Sequence, residues 1–465
     1  MVVTTTTAHP IVRQLREALP QTRLLTDPSE TEAFRWDETE YTHPGQPLGV
    51  IFPRSTAEVS TLVRAAAEHR VPIVPRGAGT GLSGGAIAVQ DAITVVMTQM
   101  DRILEIDEED LLVVTQPGII NAQLGKAVAE RGLFYPPDPA SYESCSIGGN
   151  LAENSGGLRC VKYGVTRDYV LGLEVVLADG DIIRTGGKNA KDVMGYDLSH
   201  IFVGSEGTLG IITEATLRLR PQPAPKLTLL AFFPSVRHAG DAVSRMTRDG
   251  LVPVTLELMD RFTIRAVDAA LRVGLDADAG AMLMIESDAG GAAAIAELDA
   301  AEQASEAAGA TSQVRSADPT EADWLREARR KAHWSLEQAG VARMEDIGVP
   351  RSRVAELLAA IEHRSGQHDM RVGVFGHAGD GNFHPTFVMD RDDPAAEDRI
   401  NAVRADLFAD VLALGGTVSG EHGTGVAKRG YLEAQRGARS VAVMRAIKDA
   451  LDPLGILNPG KVFAD

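Results

Sequence analysis

The first half of the chain alternates between strand-like and helix-like patterns of apolar residues. Apolar spacing predicts a helix over residues 11–19, and Ser55-Thr-Ala-Glu58 has the spacing of a capping box, which predicts a helix from there through His69. Short apolar runs without helical spacing predict strands over residues 50–52, 71–75, 93–97, 171–177 and 201–203. This part of the chain therefore reads as alternating β and α elements up to Arg220.

The pattern changes after residues 221–225, where three prolines in five residues predict a stiff boundary segment. Beyond it the pattern predicts strands over 227–233, 253–258, 282–286 and 311–315, and helices over 236–248 and 292–308. A twice-repeated β-α-β rhythm is typical of an antiparallel α+β domain of ferredoxin-like type. A strand pair over 371–389 and a helix over 398–414 follow.

Two histidines flank a predicted turn between the strands of this late pair. Asp380-Gly381 is a strong signal for a two-residue hairpin turn. With that turn, His377 pairs directly with His384 on one face, and their Cβ atoms lie roughly 4.5–5.5 Å apart. Two imidazoles at that spacing can chelate one divalent metal, although two unrelated histidines in a hairpin would look the same. Farther on, Glu421 and His422 offer a carboxylate and a third imidazole in a glycine-rich loop.

Composition and charge restrict the class of protein. The 465 residues are enough for two or more domains, and 44% hydrophobic with 24% charged residues is ordinary for a globular protein. A net charge of −18 argues against a nucleic-acid partner. No apolar run approaches a membrane span, and the first ten residues do not resemble a cleaved signal, so we expect a cytoplasmic protein, with peripheral attachment to a membrane left open. Two cysteines exclude an iron–sulfur relay within the chain.

A glycine-dense loop follows the strand predicted at 71–75. Its segment Gly79-Thr-Gly81-Leu-Ser-Gly84 matches the dinucleotide pattern G-x-G-x-x-G. That fingerprint requires a helix that opens at the glycines, whereas here the chain leads into another strand. What remains is a loop whose backbone N–H groups can surround a diphosphate, or else a merely structural turn. Two more glycine clusters, at 146–157 and 204–210, suggest several close-approach loops along one long flat ligand, which FAD fits better than a mononucleotide.

Taken together, these motifs resemble a known family. The segments 75–84, 146–157, 204–213 and 458–461 are similar to the FAD-binding domain of vanillyl-alcohol-oxidase type. The two-histidine segment and Gly420-Glu-His-Gly423 resemble the branch that contains D-lactate dehydrogenases, glycolate oxidase catalytic subunits and D-2-hydroxyglutarate dehydrogenases. The resemblance covers roughly residues 45–463. It implies an α+β protein with an N-terminal helix and loops at 1–44, a two-subdomain FAD-binding domain at 45–222, a ferredoxin-like antiparallel cap at 223–420, and a C-terminal segment at 421–465 that returns to the FAD domain.

The resemblance also implies site residues. The loop of residues 75–85 contains no histidine or cysteine, so we expect FAD to bind there without a covalent bond, and we expect Cys145 to be a packed residue instead of a flavin tether. The metal ligands would be His377, His384 and Glu421, holding Zn²⁺ or Mn²⁺, and His422 would be the catalytic base. The implied cofactor-binding residues are Pro75, Arg76, Gly77, Ala78, Gly79, Thr80, Gly81, Leu82, Ser83, Gly148, Gly149, Ser155, Gly156, Glu206, Ile212 and Asn458.

The substrate side of the resemblance is less uniform. Arg329, in a basic helical stretch, aligns with the arginine that binds the substrate carboxylate, although a solvated basic face would have the same pattern. Where the 2-hydroxyglutarate enzymes place a threonine and a lysine, this chain has His333 and Met344, with Arg343 adjacent. We therefore expect FAD-dependent oxidation of a small D-2-hydroxy acid such as D-lactate or glycolate to the 2-keto acid. The alternative within the branch is D-2-hydroxyglutarate.

Other classes stay open at this stage. A non-redox flavoenzyme resembling alkylglycerone-phosphate synthase is disfavoured, because that branch carries a histidine-rich run where this chain has residues 420–423. A flavin-free metallohydrolase or a metal-stabilised binding module would leave the glycine clusters unexplained. The sequence leaves the electron acceptor open between a quinone, a cytochrome, a partner subunit and oxygen, and it allows a homodimer.

Overall fold

The computed structural model describes residues 9–39, 42–316, 318–391 and 393–464. The chain divides into two compact units. Unit 1 comprises Met1–Gly156, Val165–Gln222 and Glu421–Asp465, and unit 2 comprises Gly157–Gly164 and Pro223–Gly420. Both helices and strands occur in each unit, which confirms the predicted α+β class. No helix within the described ranges has the length and apolar content needed to cross a membrane.

The elements up to residue 222 belong to unit 1, except the short helix α6. Short 3₁₀ segments also occur at Glu32–Phe34, Met97–Gln99 and Thr166–Tyr169. The bounds are α1 Pro10–Ala18, β1 Arg23–Leu25, α2 Pro28–Thr31, β2 Gly49–Phe52, α3 Thr56–His69, β3 Ile73–Arg76, β4 Ile93–Val96, β5 Ile103–Asp107, β6 Leu112–Thr115, α4 Asn121–Ala129, β7 Leu133–Phe134, α5 Ile147–Glu153, α6 Cys160–Tyr163, β8 Val170–Val176, β9 Ile182–Gly186, α7 Ser199–Phe202, β10 Ile211–Arg218 and β11 Arg220–Pro221.

The later elements belong to unit 2 up to residue 420 and then to unit 1 again. Two 3₁₀ segments, Arg351–Arg353 and Arg429–Tyr431, accompany them. The bounds are β12 Leu227–Phe233, α8 Val236–Arg248, β13 Thr255–Asp260, α9 Arg261–Leu271, β14 Ala281–Ser287, α10 Gly291–Ala307, β15 Ser312–Ser316, α11 Pro319–Arg330, α12 Ala332–Gln338, β16 Val341–Met344, β17 Ile347–Gly348, α13 Val354–Gln367, β18 Arg371–His377, β19 Asn382–Met389, α14 Ala396–Ala413, α15 Leu432–Arg436 and α16 Ala438–Leu451.

Unit 1 contains two main sheets. The first has the order β1-β2-β4-β3, in which β2, β4 and β3 run parallel, and the second is the antiparallel sheet β5-β6-β10-β8-β9. Helix α3 begins where the capping box predicts, since the Ser55 hydroxyl accepts from the Glu58 amide at 3.3 Å. Apolar side chains of α1 and α3 pack on the first sheet and form the core of this unit.

One predicted strand of unit 1 is wrong. The run at residues 201–203 was expected to be a strand, but Ser199–Phe202 forms a short helix. The Asp197 carboxylate accepts from the His200 amide at 3.2 Å, and the Val203 amide donates back to the Ser199 carbonyl at 3.1 Å. These local bonds satisfy the backbone in a helical turn, so an apolar run of three residues did not determine a strand.

Unit 2 contains the ferredoxin-like arrangement that the β-α-β rhythm predicts. Its antiparallel sheet begins β15-β12-β14-β13, which is the 4-1-3-2 order of four strands in that fold. The sheet continues through β18, β19 and β16, and β17 also pairs with β19. Strand β13 therefore places residues of the ferredoxin-like part directly beside the hairpin that carries the two histidines.

Candidate functional site

The glycine-dense turn of unit 1 folds over a buried guanidinium. Strand β3 ends at Arg76, whose side chain is buried and donates from Nη1 to the carbonyl of Trp36 at 2.6 Å. Burial lowers the pKa of Arg76, and the nearby Asp37 carboxylate opposes that shift. Gly79 has φ +85°, and a Cβ there would lie 1.9 Å from Nη2 of Arg76. Only glycine fits this turn, because a side chain would meet both the strained backbone angle and the guanidinium.

Backbone donors of the same turn are available to a ligand. From Gly77 to Ser83, no backbone N–H donates a hydrogen bond to another residue in the described part of the chain. Residues 77–82 are only half-buried, and the buried Ser83 hydroxyl has no hydrogen-bond partner among the residues with assigned structure. No helix follows within residues 77–92, as expected for a loop that is not a dinucleotide fingerprint. A run of unused N–H groups in a turn is a fitting cradle for the diphosphate of FAD.

The second glycine cluster is a helix and not the loop expected from the sequence. Ser146 caps helix α5 by accepting from the amide of Gly149 at 3.3 Å, and Gly148 lies in the first turn. A Cβ on Gly148 would come within 2.6 Å of the Pro117 side chain, so this glycine allows close packing between two segments of unit 1. The remaining predicted residues of this cluster are Ser155, half-buried just after the helix, and Gly156, which is buried.

Residues of the third glycine cluster (204–210) and of the C-terminal motif (458–461) contact the glycine-dense loop of residues 76–85. The Asn458 amide donates from Nδ2 to the carbonyls of Gly85 and Glu206, at 2.9 and 2.7 Å. The ammonium of Lys461 donates to the carbonyls of Gly84 and Ile87, at 2.7 and 3.0 Å. Residues 206 and 458, both predicted as cofactor-binding, thus lie beside the loop of 76–85, whereas Ile212 is a buried residue of strand β10.

The carboxylates of the buried Glu206 and the half-buried Glu153 lie next to the segment that follows His422. Glu206 accepts from the amides of Thr424 and Gly425, both at 2.7 Å. A Cβ on Gly423 would lie 2.0 Å from Glu153 Oε2 and 3.3 Å from Glu206 Oε1, so both carboxylates border this glycine. Burial, together with the charge of Glu206, raises the pKa of Glu153 well above its ordinary value, and burial raises the pKa of Glu206 as well. Burial lowers the pKa of the nearby Lys461 to about 8.

The histidine hairpin of unit 2 has a different register from the one predicted. His377 pairs with Asn382, and His384 pairs with Phe375, so the predicted direct pairing of the two histidines is wrong. The pair His377–Asn382 leaves a loop of four residues, 378–381, between the strands. Inside this loop the His377 carbonyl accepts from the amides of both Asp380 and Gly381. Within this loop only Gly381 has a positive φ, +81°, whereas a two-residue type I′ turn needs two such residues.

The two imidazoles nevertheless lie together on one face of the sheet. A two-residue offset keeps side chains on the same side of a strand pair. The ring centroids of His377 and His384 are 5.3 Å apart at an interplanar angle of 85°, and a nitrogen of one ring lies within 4.8 Å of a nitrogen of the other. Both side chains are buried. Two buried imidazoles at this separation fit a divalent metal once small side-chain rotations bring both nitrogens to it.

Two buried carboxylates that the sequence did not reveal flank these histidines. Glu257 Oε1 accepts from Nδ1 of His377 at 2.7 Å, which leaves Nε2 as the nitrogen with a lone pair. Asp346 Oδ1 lies 3.9 Å from Nδ1 of His384, and its Oδ2 accepts from the amide of Gly420 at 2.8 Å. Imidazole ligands of metals are typically oriented by such outer carboxylates. Glu257 is 120 positions from His377, so no local pattern could have indicated it.

Glu421 and His422 begin the last segment of unit 1, and both are half-buried. The residue before them is fixed in unit 2. Besides its bond to Asp346, Gly420 packs so closely on Asn382 that a Cβ would lie 2.4 Å from Nδ2 of that hairpin residue. The loop before it is held by a β-bridge between Thr417 and Gly348.

The predicted substrate-binding residues are distributed over both faces of the unit 2 sheet. Arg329 is 4% exposed and stacks on Phe375 with its Cζ 4.8 Å from the ring centroid, which places it on the histidine face. Arg343 pairs with Phe387 in the sheet register, so it lies on the opposite face from His384, and its Nη2 is 3.0 Å from Glu397. Met344, paired with Thr386, lies on the histidine face.

His333 occupies the helix that packs over the histidine face. It is the second residue of α12, and its Nε2 lies 3.5 Å from Glu337. Its side chain is 26% exposed. The structure thus brings Arg329 to the two histidines and does not bring Arg343 there.

Comparison with known proteins provides a family assignment for this site. The chain matches the model described as FAD linked oxidases, C-terminal domain, over residues 222–462, and the FAD binding domain model over residues 47–186. It is 46% identical over 432 residues to the glycolate oxidase subunit GlcD of Bacillus subtilis (strain 168), covering 93% of this chain and 92% of that protein. It is 33% identical over 471 residues to a D-lactate dehydrogenase of Anaerostipes hadrus, covering 97% of each.

Solved structures share the fold at low identity. A p-cresol methylhydroxylase with substrate bound superposes with a TM-score of 0.82 at 16% identity, covering 98% of this chain and 96% of that one. The 4-ethylphenol oxidase from Gulosibacter chungangensis gives a TM-score of 0.77 at 19% identity, with coverage of 97% and 96%. An alkyldihydroxyacetonephosphate synthase gives 0.74 at 20% identity, with coverage of 97% and 86%.

Proposed function

The chain belongs to the family of FAD-linked oxidases, and on that premise we propose that it oxidises a small D-2-hydroxy acid to the corresponding 2-keto acid. D-Lactate and glycolate are the favoured substrates. The observation that carries this proposal is the buried pair His377 and His384, in which the hydrogen bond of His377 to Glu257 directs Nε2 toward a ligand. Relatives named glycolate oxidase subunit and D-lactate dehydrogenase, matched over nearly their whole length, support it.

FAD binding rests on the unused backbone donors of unit 1. The amides of residues 77–83 would donate to the diphosphate, and the packing at Gly79 fixes the turn that presents them. The loop of residues 75–85 contains no cysteine or histidine, so we propose that the flavin is held without a covalent bond. FAD, when bound, would supply the acceptor for the hydride, that is, the α-hydrogen of the substrate together with its two electrons.

The proposed metal ligands are His377, His384 and Glu421. Gly420 is fixed against Asn382 and Asp346, and consecutive Cα atoms are ~3.8 Å apart, so the backbone of Glu421 begins next to a residue that packs on the hairpin. Two imidazoles and one carboxylate with open positions suit Zn²⁺, and Mn²⁺ accepts the same donors. A divalent ion bound there would supply Lewis acidity to the hydroxyl and carboxylate oxygens of the substrate.

His422 would hold the proton that the reaction releases. Residues 420–422 form a bend and not a strand, and we propose that this bend turns Glu421 toward the metal and His422 toward the substrate. His422 takes the hydroxyl proton as the α-hydrogen leaves with its electron pair, and a 2-keto acid remains. The amides of Thr424 and Gly425, held by Glu206, fix the backbone just beyond this histidine.

Arg329 is the proposed partner of the substrate carboxylate. Its Nε is buried and has no hydrogen-bond acceptor among the residues that the structure describes, so an incoming anion would satisfy it. On the same face Met344 provides no positive charge for a second carboxylate, and Arg343 lies on the other face. This distribution favours a monocarboxylic substrate over D-2-hydroxyglutarate, with His333 as a further residue near the substrate.

Anaerobic flavin bleaching tests the proposal. The purified protein is mixed with D- and L-lactate, glycolate and D-2-hydroxyglutarate, and flavin absorbance is followed. We expect D-lactate or glycolate to bleach the flavin fastest, and His422→Ala to bleach ~10²–10⁴-fold more slowly with its FAD retained. His200→Ala, at an exposed histidine of unit 1, is the matched control and should behave as wild type. Full-rate bleaching by His422→Ala would contradict the role of His422, and a flavin that no hydroxy acid bleaches would contradict the proposed reaction.

A further inference from the structure

Glu257 connects the metal-binding and substrate-binding parts of unit 2. It lies on strand β13, and its side chain is 1% exposed. One carboxylate oxygen accepts from Nδ1 of His377 at 2.7 Å, and the other lies 2.6 Å from Nη2 of Arg329. A single buried carboxylate therefore contacts one proposed metal ligand and the proposed substrate arginine.

The sheet register fixes the contact to the histidine. Glu257 pairs with His377 across β13 and β18, so the two side chains project from opposed positions on one face. An ionised carboxylate only accepts hydrogen bonds, so His377 must carry its proton on Nδ1 and keep the lone pair on Nε2. The backbone thus holds the imidazole in the tautomer and orientation that a metal requires.

The arginine closes a ring of packed groups around the same point. Its guanidinium lies over Phe375, whose ring is 5.5 Å from the ring of His384. The ring centroids of His384 and His377 are 5.3 Å apart, His377 is hydrogen-bonded to Glu257, and Glu257 forms an ion pair with Arg329. The two contacts of Glu257 are a hydrogen bond and an ion pair, and the other contacts are packing against aromatic rings, so a displacement of Glu257 would move both His377 and Arg329.

We propose that Glu257 is a positioning residue that sets both the metal affinity of His377 and the orientation of Arg329 toward the substrate carboxylate. This inference rests on the proposed function for its substrate part, whereas its metal part stands on the Glu257–His377 contact alone. Outer carboxylates on ligating histidines contribute roughly 10–100-fold to metal affinity.

The test replaces the carboxylate by an amide of the same size. Glu257→Gln keeps one oxygen that can accept from His377 but loses the charge that both partners use. We expect the apparent dissociation constant for Zn²⁺, measured by competition with a chromophoric chelator in the absence of substrate, to rise ~10–100-fold. We also expect KM for the oxidised hydroxy acid to rise, since Arg329 loses its fixed partner.

Glu286→Gln is the matched control. Glu286 is fully buried on the next strand, β14, and is also paired with two basic side chains, Lys226 and Arg326, but it contacts neither histidine. It should lose stability to a similar extent and keep the Zn²⁺ affinity of the wild type. Equal affinities for Glu257→Gln and wild type would overturn the inference, and so would equal losses in both variants.

A wild-type measurement covers the case in which Glu257→Gln does not fold. A crystal structure of the Zn²⁺-loaded protein should show Nε2 of His377 on the metal and Nδ1 on Glu257, and coordination through Nδ1 would overturn the inference. The two proposals fail separately. If no hydroxy acid reduces the wild-type flavin but Glu257→Gln still weakens Zn²⁺ binding relative to Glu286→Gln, the proposed function fails and the positioning role stands.

Discussion

Replacing Glu206 should loosen the segment that carries Glu421 and His422. The carboxylate of Glu206 is 5% exposed and accepts from two backbone amides, those of Thr424 and Gly425, at 2.7 Å each. Hydrogen bonds to a charged group contribute ~1.5–3 kcal/mol each, and a buried donor left unpaired costs ~1–3 kcal/mol. Glu206→Gln retains one acceptor oxygen and turns an NH₂ group toward the second amide, so we expect a loss of about 2–4 kcal/mol in the stability of unit 1.

Two measurements check this magnitude. The thermal midpoint should fall by about 4–16 °C, on the scale of ~2–4 °C per kcal/mol for domains of this size. Hydrogen exchange of peptides that cover residues 421–427 should accelerate in the same variant. Glu214→Gln is the control, because Glu214 pairs with Arg184, whose side chain is 65% exposed, and such a pair contributes only ~0–1 kcal/mol. A Glu206→Gln protein that melts within 1 °C of wild type, with unchanged exchange over residues 421–427, would refute the reasoning.

Four further outcomes are expected. Gly79→Ala should reduce the FAD retained after gel filtration at least roughly tenfold, because the new Cβ would meet the Arg76 guanidinium and the backbone has a positive φ there. Gly187→Ala, at a glycine with open space around it, should retain FAD, and equal FAD contents in the two variants would contradict the role of the 77–83 turn in binding the diphosphate. His384→Ala should lower bound metal and turnover together, and an unchanged metal content by mass spectrometry would exclude this ligand. Burial raises the pKa of Asp260 from 3.8 to about 6. Because the unfolded chain loses this proton at lower pH than the folded one, the free energy of unfolding should fall as the pH rises from about 4 to 6. Asp260→Asn should remove that fall and add roughly 3 kcal/mol at pH 7, and identical pH profiles of wild type and variant in denaturant titrations would contradict this. Met344→Lys should shift the kcat/KM ratio toward D-2-hydroxyglutarate over D-lactate by roughly tenfold, by one new charge-assisted contact, and an unchanged ratio would place the distal end of the substrate elsewhere.

The sequence predicted the fold well because its signals are local. Apolar spacing and the β-α-β rhythm indicated the ferredoxin-like order of β12 to β15, and the glycine and C-terminal motifs indicated the vanillyl-alcohol-oxidase-type fold, which the solved relatives confirm. Helix α5 was missed because two adjacent glycines have low helix propensity, although Ser146 was a visible N-cap.

The site was only partly predictable, because its geometry depends on long-range pairing. The Asp380-Gly381 signal gave the correct hairpin but the wrong register, since the turn used four residues instead of two. The shared face of His377 and His384 survived this error, because an even offset preserves the side of the sheet. Glu257 and Asp346 carry no sequence signal of their own; they reach the histidines only through strand order in the folded sheet.

The most direct test of the account is the dependence of flavin reduction on metal. The rate of anaerobic flavin bleaching by D-lactate and by glycolate is measured on the purified protein, after removal of metal by a chelator, and after re-addition of Zn²⁺ or Mn²⁺. We expect chelation to slow bleaching at least roughly a hundredfold with FAD still bound, and one equivalent of metal to restore it. Bleaching at full rate by metal-free protein would contradict the assignment of His377 and His384 to substrate activation.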